Sequence, residues 1–124
     1  MHALNWFEIP ALDLSRAFAF YSAVLPAKVR MGTFGQGDLI LFDIPFSTGE
    51  AVGGSVVCRP DFLPSNQGSL IYLNAFGPLA DAVKRIAPAG GQVLVPEINL
   101  GKFGYAAIFM DSEGNRLGLI SHEA

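Results

Sequence analysis

Apolar positions along this chain change period in the same order twice. Trp6, Phe7 and Ile9 are bulky strand formers within Leu4 to Pro10, and Pro10 closes that run. Asp13 is placed to cap a helix, and apolar residues then recur at Leu14, Ala17, Phe18, Tyr21, Val24 and Leu25. That spacing predicts a helix with one buried face, and Pro26 stops it. Strands are expected at Val29 to Phe34, Leu39 to Ile44 and Val52 to Cys58, with a turn at Gly35–Gly37 and a loop at Pro45 to Glu50.

Arg59 to Gly68 (RPDFLPSNQG) has two prolines and no apolar period, so it reads as a linker. The pattern then restarts. A strand is expected at Ser69 to Ala75. A helix opens at Pro78, with Leu79, Ala82, Val83 and Ile86 on one face, and Pro88, Gly90 and Gly91 end it. Gln92 to Pro96 reads as a strand and Glu97 to Phe103 as a loop. Tyr105 to Met110 and Leu117 to Ile120 form a hairpin around the polar turn DSEGN. The order is strand, helix, three strands, given twice: βαβββ over residues 1–58, a linker over 59–68, and βαβββ over 69–124. An internal duplication is the economical reading, with the fold class α+β. Neither half buries its helix and sheet well alone, so the halves are expected to pack into one domain.

Composition narrows the functional classes. Hydrophobic residues make up 51% of the 124, charged residues only 15%, and the formal net charge is -3. An apolar excess of this size predicts self-association, or a cleft for an apolar ligand, beside the core. No lysine-arginine stripe exists, which argues against nucleic acid as a partner. Cys58 is the only cysteine, so an internal disulfide and a four-cysteine metal site are excluded and a cytoplasmic setting is expected. The start of the chain has neither the basic end nor the apolar block of a signal peptide, and no apolar run is long enough to span a membrane. The glycines lack the spacing of a phosphate-binding loop.

Polar residues on apolar strands are the candidate chemistry. Strand alternation puts Glu8 on the face of Trp6, and Tyr72 and Asn74 on the face of Leu70. Glu8 is either an arginine partner or a base whose pKa burial raises. Trp6 is either core or a wall that stacks on a flat ligand. Asn74 lines the interior or holds the end of its strand. Arg116 shares a face with Gly118, and either meets an anion or forms a surface salt bridge. Cys58 is expected to be inert, Arg16 to pair with an acid, and Asp13, Asp111 and Asn115 to cap and turn.

Three segments together resemble the vicinal oxygen chelate superfamily of glyoxalase I, fosfomycin- and bleomycin-resistance proteins and extradiol dioxygenases. They are WFEIPALDLSRAFAFYSAVL (Trp6 to Leu25), GSLIYLNA with PLADAVKRIAPAGGQVLVP (Gly68 to Pro96), and DSEGNRLGL (Asp111 to Leu119). The resemblance implies two βαβββ modules whose mixed sheets curl into a cup with the site inside, and a homodimer. Metal-using members hold a divalent ion with His or Glu on the first strand of each unit and on the last strands of the two units.

Carried over one position at a time, those ligand positions fall on Trp6, on Leu70 or Ile71, on Ser55 or Val57, and on Gly118. Tryptophan, leucine and glycine do not hold such a cation. The resemblance therefore implies a superfamily member without the usual metal, with no cofactor. It would bind a small apolar or aromatic molecule through Trp6, Glu8, Tyr72, Asn74 and Gly118, the glycine leaving room for the ligand. The alternative is a metal-dependent lyase, isomerase or dioxygenase of the same superfamily, with Glu8 as the candidate base. A dimeric scaffold with a filled cup is the third reading.

Overall fold

The structure, a computed structural model, describes residues 3–35, 37–42 and 52–124. The expected loop at 45–50, and the end of the third strand beyond Phe42, lie outside these residues. The elements are β1 (Trp6–Pro10), α1 (Leu14–Val24), β2 (Val29–Phe34), β3 (Gly37–Phe42), β4 (Gly53–Val57), β5 (Tyr72–Asn74), α2 (Leu79–Ile86), β6 (Gln92–Asn99), β7 (Tyr105–Met110) and β8 (Arg116–Ser121). A single 3-10 turn at Gly101–Phe103 joins β6 to β7.

Each half of the chain makes one four-stranded mixed sheet. The orders are β1-β4-β3-β2 and β5-β8-β7-β6, so the same topology appears twice. In each sheet the first strand runs parallel to the last, and the other pairs are antiparallel. This is the expected α+β architecture of two βαβββ units.

Both helices form where periodicity places them, and α1 is capped as expected. Asp13 accepts a hydrogen bond from the Arg16 N–H at 3.0 Å, which caps α1. Ala17, Phe20, Tyr21 and Val24 are the buried stripe of α1, and Leu79, Ala82 and Ile86 that of α2. Asp81 in the first turn of α2, and Lys84 and Arg85 in its last, match the helix dipole.

The core lies between the helices and one face of each sheet. Ile9, Ile40, Phe42 and Val56 come from the first sheet, and Leu73, Ala107, Phe109, Leu117 and Leu119 from the second. Phe20 packs edge-on to Tyr21, with centroids 5.0 Å apart, and stacks on Phe109 of the other unit at 6.1 Å. Rings in these geometries add about 0.5–1.5 kcal/mol to their area burial.

Several strand ends differ from expectation: β3 begins at Gly37, inside the expected turn, and β5 and β6 differ most. β5 covers only Tyr72–Asn74, because Ser69 to Ile71 still belong to the irregular approach from the linker. β6 continues through Pro96 to Asn99, with register shifts between Val93 and Ile98. β6 is a sheet edge, where a proline costs no ladder hydrogen bond.

Candidate ligand-binding site

Strand alternation leaves Trp6, Glu8, Tyr72, Asn74 and Gly118 on the sheet faces turned away from the helices. The register lays Trp6 beside Gly53, Glu8 beside Ser55, Tyr72 beside Gly118 and Asn74 beside Ile120. Trp6 and Tyr72 expose 38% and 46% of their surface, a large area for aromatic residues on strands.

Two cavities lie along the seam where the β1 edge meets the approach to β5, and Ile71 lines both. The first, about 210 Å³, is lined mostly by apolar side chains. Leu4, Phe7, Phe42, Ile71, Tyr72 and Phe76 line it, together with Asn74. The second, about 220 Å³, carries Glu8 and Arg116 among Ile9, Phe62, Ile71 and Leu117. A third cavity of about 230 Å³ joins Asn74 to Phe103, Ser121 and His122 near the end of β8. The five residues expected at one site are therefore divided. Tyr72 and Asn74 share the apolar cavity, Glu8 lines the second, and Trp6 and Gly118 line none of the three.

Glu8 has an arginine partner. Its carboxylate receives a forked pair of hydrogen bonds from Arg59, at 2.9 and 3.2 Å. Those bonds hold the Glu8 carboxyl below its ordinary range and outweigh the modest effect of burial. The expectation that burial raises this pKa is corrected: the group is exposed and paired, which weakens it as a base. Asn74 does hold a strand end, because its Oδ1 accepts from the Phe76 N–H at 2.8 Å.

Gly118 leaves less room than expected. A β-carbon built there would run into the Tyr72 ring, so that ring already covers the position. The small residue serves its neighbouring aromatic.

Phe76 was not anticipated. It sits in the left-handed region at φ 56°, unusual for a bulky residue, and the Asn74 turn holds it there. Its ring walls the apolar cavity, with the Lys28 ammonium 4.8 Å from the ring centroid. The signal available in sequence was the Asn-x-Phe-Gly turn after the strand. His122, which lies close to the end of the chain, lines the third cavity.

The other polar residues of the closing hairpin hold the two halves together. Glu113, whose side chain is fully buried, accepts from the Leu12 and Asp13 N–H groups at 2.9 and 2.8 Å and from Arg16 Nε and Nη2 at 2.7 and 3.0 Å. Burial alone would raise its pKa; these hydrogen bonds, with Arg16 foremost, hold it below the usual range. Asp111 accepts from the buried Tyr21 hydroxyl at 2.6 Å, and burial first, then Asp111, pushes the Tyr21 pKa well up. Asn115 donates to the Pro10 carbonyl at 2.7 Å. Arg16 therefore has the acid partner expected of it. Cys58 is exposed and unbonded to any other cysteine.

Among the described residues, no three His, Cys, Asp or Glu side chains gather as a metal site would need, and no helix is long and apolar enough to cross a membrane. No family model matches the sequence. No curated protein matches it either. Solved structures do. A glyoxalase/bleomycin resistance protein from Albidiferax ferrireducens T118 is 17% identical, with 96% of this chain and 98% of that one covered at a TM-score of 0.69. A glyoxalase/bleomycin resistance protein from Streptomyces sp. CB03234 is 24% identical, over 95% and 100%, at 0.66. A lactoylglutathione lyase from Agrobacterium tumefaciens is 16% identical, over 97% and 93%, at 0.60. At these identities the likeness is one of fold, and the chain has the fold of the glyoxalase/bleomycin resistance proteins, the one its resemblance to the vicinal oxygen chelate superfamily implied.

Proposed function

We propose that this protein binds a small apolar or aromatic molecule along the seam between its two sheets, without the metal of the metal-using members of the superfamily it resembles. The observation that carries this reading is the apolar cavity of about 210 Å³ walled by Phe7, Tyr72 and Phe76, with the exposed Trp6 on the same strand as Phe7. A cleft of this kind takes a flat apolar ligand by burial and ring stacking.

The chemistry of the donor positions supports the metal-free part. Trp6, Leu70 and Gly118 offer no ligating atom, the Tyr72 ring covers Gly118, and Glu8, the carboxylate on the strand of Trp6, is engaged by Arg59. The same fork disfavours the alternative reading as a lyase, isomerase or dioxygenase with Glu8 as base. We also infer a homodimer in a reducing compartment. Apolar Leu94 and Val95 are exposed on the edge strand β6, and the one thiol is free.

Tyr72→Ala tests the reading directly. A fluorescent aromatic probe such as 1-anilinonaphthalene-8-sulfonate should bind the native protein and lose about tenfold or more in affinity in the variant, with Trp6→Ala losing less. An unchanged affinity in Tyr72→Ala would place the ligand elsewhere.

A further inference from the structure

The second seam cavity carries a charge that nothing in the described structure answers. Arg116, at the start of β8, lines it and is exposed, and its guanidinium has no ion pair or side-chain hydrogen bond among the described residues. Facing it is Glu8, already neutralised by the Arg59 fork. Asp61 stands 4.0 Å from Arg59 and is 86% exposed, so water screens it. The local sum of Glu8, Arg59 and Arg116 is one positive charge.

The rest of the wall is mixed. Ile9, Phe62, Ile71 and Leu117 give it apolar surface for a ligand body, Ser65, Gln67, Ser69 and Asn115 add polar groups, and the Arg59 guanidinium lies 5.3 Å over the Phe62 ring. The Ser65 N–H is tied to Asn115 Oδ1 at 3.2 Å, so the linker is held as part of the wall. The volume of about 220 Å³ admits a single ring with a short substituent.

We propose that this cavity selects small carboxylates with an apolar or aromatic body, and that Arg116 is the anchor for the carboxylate. Arg59 acts differently, since by pairing with Glu8 it removes the one charge that would repel such a ligand. The planar guanidinium fork matches a carboxylate, and a charge-assisted pair is stronger than the bond a neutral amide would make there. This deepens the reading of the seam as a ligand site, and rests on it.

The test uses phenylacetate and its neutral isostere phenylacetamide, each titrated into the 15N-labelled protein at neutral pH and low salt. Phenylacetate should bind at least about fivefold more tightly than phenylacetamide, with the largest amide shifts at Ile71, Arg116 and Leu117. Arg116→Gln should erase that preference, while Arg116→Lys should keep part of it. Glu8→Gln should widen the preference, because it leaves two cations facing the ligand. Equal affinities for the two probes in the native protein, or a preference that survives Arg116→Gln, would overturn the carboxylate inference and leave the seam reading standing. Binding of neither probe, at concentrations up to tens of millimolar, would overturn both.

Discussion

Phe76 holds its place against its own backbone preference. A left-handed φ costs a non-glycine residue about 1 kcal/mol, and here the cost is met by the Asn74 turn beneath it and by contact with Lys28. Strain of this kind clusters at ligand-binding positions, which makes the Phe76 ring a candidate ligand contact. Phe76→Gly separates the two effects. Stability should stay within about 1 kcal/mol, since glycine adopts the angle freely while gaining freedom in the unfolded chain. Affinity for an aromatic probe should fall several-fold, as read by paired thermal unfolding and titration. A loss of stability of several kcal/mol with unchanged affinity would make Phe76 a packing residue. For single side chains the chemistry was only half legible in the sequence. Alternation placed Glu8 and Tyr72 on the correct faces, yet neither the Arg59 fork nor the ring over Gly118 has any sequence signal, because each joins residues about fifty apart.

Among the elements, the closing hairpin was easy to find and hard to interpret. Its two apolar runs and Gly114, at φ 98°, announce a turn. Its acids read as ordinary turn residues, and Asp111 does accept from the Glu113 and Asn115 N–H groups within the turn; beyond that, Asp111 and Glu113 bind α1 and its entry across about a hundred residues of chain. Glu113→Gln leaves the Arg16 contact without its negative charge, and should destabilise the fold by about 2–4 kcal/mol in urea unfolding. The pH dependence follows from the depressed carboxyl. A group whose pKa is lower in the folded state stabilises above its unfolded value and loses that contribution as pH falls through the folded one. Native stability should therefore decline below about pH 4.3, and decline less steeply in Glu113→Gln. Parallel acid profiles for the two proteins would show that Glu113 is not the coupled group. β6 carries the complementary lesson. Pro96 looks like a strand end, but an edge strand has no partner on its outer side to miss the amide.

For the two units together, the repeated order of elements was enough to give both sheets and both helices. It rests on local periods, which survive folding unchanged. How the two units meet was not legible. The two seam cavities, the division of the expected site between them, and the Glu113 clamp all depend on side chains brought together only after each unit has formed. If the seam holds an apolar ligand without help from an ion, binding there must be indifferent to metal. An amide-resolved titration of a neutral aromatic probe such as indole decides this, run on protein first stripped with chelator and then resupplied with zinc or manganese. Saturable shifts confined to Phe7, Ile71, Tyr72 and Phe76, the same in both states, are the expected result. Shifts that arise only after the metal is returned, or that fall away from the seam, would contradict it.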